Sequence, residues 1–128
     1  MTINIVGIVL GFFLACWGLF HQLIVGGAAT MFKDISENEA RLFVMSWVAQ
    51  GGFMTFAGLA PAVMLLLHGP YTEGVQTICI LSGIALVLLS VHVFATGFKS
   101  HLKPIRIGAV LELTYGIYLL GYVLYLSF

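Results

Sequence analysis

Charged side chains divide this chain of 128 residues into four long apolar runs. Residues 1–32 hold no Lys, Arg, Asp or Glu, and neither do 42–72 or 74–98; the run 107–128 is interrupted only by Glu112. Each run reaches the ~20 residues that an α-helix needs to cross a bilayer core. The runs are continuous rather than alternating, and four strands cannot close a barrel, so the pattern predicts helices. The expected spans are about 3–29, 40–67, 74–97 and 105–126, with 1–128 forming a single four-helix membrane domain. The first run lacks the basic lead-in of a signal peptide and exceeds the length of its apolar segment. It is therefore expected to stay in place as the first helix.

Local signals punctuate these spans. Ser36 followed by Glu39 is a capping-box pattern, and Glu37 with Arg41 is spaced to pair along an exposed first turn. His68-Gly69-Pro70-Tyr71 reads as a tight turn, and Pro104 stands where the first turn of a helix tolerates proline. Pro61 falls inside the second span and is expected to kink it. Short connections favour sequential antiparallel neighbours, so the expected fold is an all-α, up-down four-helix transmembrane bundle.

Composition narrows the class. Hydrophobic residues make up 61% of the chain and charged residues 8%, against about 25% charged in a soluble domain. Disorder and a basic nucleic-acid footprint are both excluded on this ground. The five basic residues are unevenly placed: Lys33 and Arg41 lie between the first two helices, and Lys99, Lys103 and Arg106 between the last two. The positive-inside rule then puts loops 30–39 and 98–104 in the cytoplasm and both termini outside. The basic loop around Lys99 and Lys103 fixes topology or holds an anionic lipid headgroup.

Small residues mark the faces on which lipid-solvated helices meet. Gly7, Gly11, Leu14, Gly18 and His21 form such a stripe on the first helix. Ser46, Gln50, Met54 and Ala57 form one on the second, and Ser82, Ala85, Leu89, His92 and Thr96 one on the third. Gly108, Glu112 and Gly116 follow on the fourth, with Tyr115 beside Glu112. All four stripes are expected to point inward.

An ionisable residue in hydrocarbon is costly and marks a functional site by default. Glu112 is the only carboxylate well inside a span. At ~1.5 Å per residue it lies about 9 Å in from Arg106, with His92 about 10 Å from Lys99, Gln50 about 14 Å from Arg41 and His21 about 18 Å from Lys33. One polar residue per helix at overlapping depth predicts a common site in the cytoplasmic half: His21, Gln50, His92 and Glu112, with Gln22, Tyr115, Trp17 and Trp47 nearby. The alternative is that each group satisfies itself separately, by bonding to backbone carbonyls or by snorkelling. Tyr115, Tyr118, Tyr122 and Tyr125 make a further stripe, its last two members at the external interface. Cys16 and Cys79 lack redox spacing.

Three chemistries fit this set. Glu112 can act as proton donor or acceptor with His21 or His92 as its partner. Two histidines and a carboxylate are also a ligand set for a divalent metal such as Zn²⁺ or Fe²⁺. Finally, His21 and His92 stand on diagonal helices, as bis-histidine ligation of haem b requires.

The leading expectation is a lipid-facing bundle that binds or transforms a hydrophobic small molecule of isoprenoid, sterol-like or quinone type. Glu112 would be its proton donor or acceptor, and Gln50 an orienting hydrogen-bond donor. One alternative is a proton- or cation-coupled small transporter acting as a homodimer. Another is a non-catalytic subunit of a larger membrane complex, or a b-type haem electron-transfer protein. Size and helix count are similar to those of small multidrug resistance transporters and of the four-helix EXPERA group. The former keep their membrane carboxylate in the first helix and this chain in the fourth, and no segment carries the motifs of the latter. That likeness is architectural and transfers no residue.

Overall fold

The computed structural model describes residues 2–30, 34–97, 99 and 102–128. Among these, every regular element is a helix: α1 (Thr2–Leu23), α2 (Val25–Ala29), α3 (Glu37–His68), α4 (Glu73–Thr96) and α5 (Lys103–Ser127). Four of them, α1, α3, α4 and α5, are long and apolar enough to cross a membrane. Lys33, Ser100 and His101, which belong to the two basic loops of the sequence, lie outside the described residues.

The first span does not run unbroken to residue 29. It ends at Leu23, and Ile24 takes ψ −1° before the chain resumes as α2, where a helix interior holds ψ near −42°. The hydrogen-bond ladder survives the break, since Ile24 N–H donates to Phe20 at 3.1 Å and Ala28 N–H to Ile24 at 3.0 Å. Gly26 and Gly27 have no neighbour on their Cβ side. With weak helix preference and no packing partner there, nothing holds the last turns in line with α1.

The helix starts follow local chemistry. Ser36 Oγ accepts from the Glu39 N–H at 3.3 Å while Glu39 Oε2 accepts from the Ser36 N–H at 2.7 Å, closing the capping box at the start of α3. Arg41 and Glu37 pair at 2.5 Å on the same exposed turn. The turn into α4 passes through Gly69 at φ +71°, a backbone region open to glycine and strained for most other residues. Pro104 sits in the first turn of α5, and α3 continues as one helix through buried Pro61.

Glycines set the closest helix approaches. A Cβ on Gly11 would lie 2.6 Å from the Gly58 carbonyl oxygen, and one on Gly18 2.6 Å from that of Gly51. Because 11 meets 58 and 18 meets 51, α1 and α3 run antiparallel with a seven-residue repeat on both sides, the spacing of a left-handed crossing. On the second pair, Gly83 faces Gly116, and Ser90 Oγ donates to the Ala109 carbonyl at 2.7 Å. This makes α4 and α5 antiparallel as well. The hairpins α1/α3 and α4/α5 join through thinner α1–α5 and α3–α4 contacts. Leu14, Met54, Leu86, Tyr115 and Leu119 fill the centre.

Two faces depart from the expected inward stripes. On α3, Met54 and Ala57 are buried, but Ser46 is exposed and Gln50 only partly covered; Trp47, Gly51, Gly58 and Ala62 take the interior. On α4, Ser82 is buried, whereas Gly83, Leu86, Ser90 and Val93 rather than Ala85, Leu89, His92 and Thr96 face α5. Each helix is rotated by about one residue, because Gly51, Gly58 and Gly83 permit closer backbone approach than the stripes chosen from polarity.

Candidate functional site

Two polar regions sit back to back, one sealed and one open. The sealed region lies between α1, α3 and α5. Glu112 is fully buried, and His21 and Tyr115 are each 1% exposed. Gln50 lies beside the Glu112 carboxyl. Trp17 Nε1 approaches Gly108, at 3.5 Å from where its Cβ would stand, one turn before Glu112 on the same face of α5. Three helices thus bring an indole N–H, an amide and a carboxyl to one level of the bundle.

None of these groups is satisfied directly. Among the described residues, Trp17 Nε1, Gln50 Nε2, both Glu112 oxygens, Tyr115 Oη and both ring nitrogens of His21 are buried without a hydrogen-bond partner. Left bare, each such group costs about 1–3 kcal/mol, and native proteins keep few of them without a function, a bound water or an ion to account for them. Among the described residues, neither the Glu112 carboxyl nor the His21 ring is bonded to a local backbone carbonyl.

His21 is the cluster's end toward α2. Trp47 packs edge-on against its ring at 4.1 Å between centroids and donates its indole N–H to the His21 carbonyl. Trp47 belongs to a second small core with Ala28 and Leu102, so it walls the site rather than lining it. Gln22 turns elsewhere, with its amide 3.4 Å from both the Gly18 carbonyl and Thr55 Oγ1 in the α1/α3 seam.

The open region is a groove of about 690 Å³ between α3 and α4. Ser46, Gln50, His92 and Thr96 supply its polar edge, and Phe53, Ala85 and Leu89 part of its apolar wall. His92 stands here, exposed, and not in the interior with His21. Thr96 Oγ1 donates to the His92 carbonyl at 2.8 Å, and both residues line the groove. Gln50 is the residue common to both regions.

The donor sets for metal and haem can be judged from these positions. Among the described residues, no three of His, Cys, Asp and Glu gather to hold a metal ion. A bis-histidine haem requires both rings on one cavity, and His21 does not line the groove that His92 faces.

Sequence reasoning missed two polar residues. Asn4 accepts a hydrogen bond from the Tyr122 hydroxyl at 2.5 Å; its place at i−3 from Gly7 and i−7 from Gly11 was the available signal. Ser90 was hidden in an apolar run because one hydroxyl disturbs such a pattern little. Tyr115, Tyr118 and Tyr122 stack in sequence, with centroids 6.4 and 6.0 Å apart and planes within 12° and 8°. Tyr125, by contrast, is 65% exposed. Cys79 is buried and Cys16 exposed, both as free thiols.

No known protein family, curated protein or solved structure matches this chain.

Proposed function

We propose that this is a multi-pass membrane protein that takes a hydrophobic small molecule from the bilayer into the α3/α4 groove. The loops 30–39 and 98–104 are then cytoplasmic and the termini external, as the distribution of basic residues favours. Lipid covers the outward faces, which carry large apolar side chains such as Phe13, Phe56, Leu88 and Leu124. The ligand class is isoprenoid, sterol-like or quinone. Such a molecule enters sideways and sets its polar end against His92, Ser46 and Thr96.

The observation that carries this reading is the double position of Gln50, on the groove wall and beside buried Glu112. Glu112 exchanges a proton with the bound molecule, Gln50 orients the pair, and His21 stands behind as a second proton-holding group. The apolar wall supplies affinity by burial, and the few polar groups supply orientation.

The test is a titration of detergent-solubilised protein with a short-chain prenylated benzoquinone, farnesol and cholesterol, read by tryptophan fluorescence. At least one class should quench saturably. His92→Ala should weaken that binding about tenfold, or about 1.4 kcal/mol. Absence of saturable binding for all three classes, or unchanged affinity in His92→Ala, would overturn the reading.

A further inference from the structure

The α3/α4 groove does not end where its polar residues do. A second cavity of about 250 Å³ continues along the same seam, lined by Phe56, Ala57, Ile78, Leu81 and Ser82. It shares Phe53 and Ala85 with the groove, so the two spaces meet at that pair, one residue from each helix. The lining runs from Ser46 to Ala57 on α3 and from Thr96 to Ile78 on α4. At the rise of an α-helix these stretches measure about 16 Å and about 27 Å, against a hydrocarbon core of ~30 Å.

The packing of the two hairpins explains why this seam stays open. Close approach in the bundle is set by glycines, and the packed glycines of α3 and α4 face elsewhere: Gly51 and Gly58 meet α1, and Gly83 meets α5. Toward each other, α3 and α4 present larger groups such as Gln50, Phe53, Leu88 and Leu89. The two helices are tied at one end by the short turn between His68 and Glu73, and the seam widens away from it. The cavity nearer the turn holds about 250 Å³ and the farther one about 690 Å³. Polarity is graded in the same direction. Ser46, Gln50, His92 and Thr96 line the wide cavity, and Ser82 is the one polar residue among the described residues lining the narrow one. No Lys, Arg, Asp or Glu is among the described residues that line either.

Resting on the ligand reading above, we propose that the seam holds a single linear chain of the prenol type. Its uncharged head lies against His92 and Ser46, and its tail passes between Phe53 and Ala85 into the narrow cavity. A fused-ring sterol keeps its width along most of its length and fits the wide cavity alone. A carboxylate or phosphate head would leave water for hydroxyls, an amide and an imidazole, with no Lys or Arg to compensate it. The tail gains little merely by leaving lipid, which is as apolar as the cavity wall. Its selection comes from close contact along the tapered seam.

The experiment uses the full chain in phosphatidylcholine nanodiscs, where bulk lipid competes throughout, and geranylgeraniol carrying a photoreactive diazirine at its tail end. Labelling should saturate and map by peptide mass spectrometry to residues 78–82 rather than 92–97. Unlabelled geraniol, farnesol and geranylgeraniol should displace the probe with rising potency, about tenfold from first to last. Geranylgeranoic acid and cholesterol should each be at least tenfold weaker than geranylgeraniol. Ile78→Trp, which fills the narrow cavity, should reduce the potency of geranylgeraniol to that of geraniol and leave geraniol unchanged. The length series on wild type carries the test if that variant misfolds. Labelling scattered over the lipid-facing surface, equal potency along the series, or displacement by cholesterol as strong as by geranylgeraniol would overturn the proposal. If His92-dependent binding of a quinone or sterol persists beside such a result, the ligand reading stands and only the linear-chain assignment falls. Absence of saturable binding by every probe would overturn both.

Discussion

Gln50 lies beside the Glu112 carboxyl from α3 while its own helix face lines the groove toward α4. One amide thus separates a fully buried carboxyl from a cleft open to the surroundings of the bundle. A molecule seated in the groove is within a single side chain of the only carboxylate inside the apolar spans. The functional reading rests on that arrangement.

The first prediction concerns the price of keeping Glu112. Its oxygens are buried without partners, so an apolar residue of similar size should fit better than the native one. Glu112→Leu should raise stability by about 1–2 kcal/mol and, at the same time, remove any proton-dependent function. Thermal unfolding in detergent measures the first effect. A clear loss of stability would mean that the carboxyl is well satisfied in the native protein.

A second prediction tests the glycine crossings. Gly11→Ala places a Cβ 2.6 Å from the Gly58 carbonyl oxygen, forcing α1 and α3 apart at a loss of about 1–3 kcal/mol. Gly52, one residue from the crossing glycine Gly51, has no neighbour on its Cβ side. Gly52→Ala should therefore be neutral or stabilising by up to about 1 kcal/mol. Unfolding temperatures of the two variants should move in different directions, and equal effects would contradict the assigned faces.

The contrast between those two neighbours shows what the sequence could and could not reveal. The four spans were legible because charged residues bound each apolar run, and the capping box of Ser36 and Glu39 because its spacing is specific. Glu112 and His21 were legible because polarity is rare within the spans. The inner faces of α3 and α4 were not. In helices apolar on all sides, burial leaves little periodic trace, so Ser46 and His92 were placed inward by polarity when Gly51, Gly58 and Gly83 decide the contact. The end of α1 at Leu23 was missed for a related reason, since Gly26 and Gly27 extend the apolar run without favouring a helix. The groove itself follows from these rotations and has no linear signature.

Orientation can be tested by accessibility. In a background with Cys16→Ala and Cys79→Ala, Tyr71→Cys should react with an impermeant maleimide in intact cells. Glu37→Cys should react only after the membrane is opened. These outcomes follow from the placement of basic residues, and the reverse pattern would invert the topology.

Ser90 offers a smaller test of the second hairpin. Its hydroxyl is buried and donates to the Ala109 carbonyl at 2.7 Å. Ser90→Ala should lower stability by about 0.6 kcal/mol, the average for a hydrogen bond between membrane helices. Chemical or thermal unfolding of the variant beside wild type would detect it, and a stabilising effect would place that hydroxyl outside the α4–α5 contact.

The most direct measurement is mass spectrometry of the small molecules that stay with the protein when it is purified from its native membrane in mild detergent. Wild type should retain one hydrophobic compound in excess over bulk lipid. Ala85→Trp, which fills the groove from α4 without touching Glu112 or His21, should lose it. If both proteins carry the same unenriched set of lipids, the groove holds no specific ligand and the central claim fails.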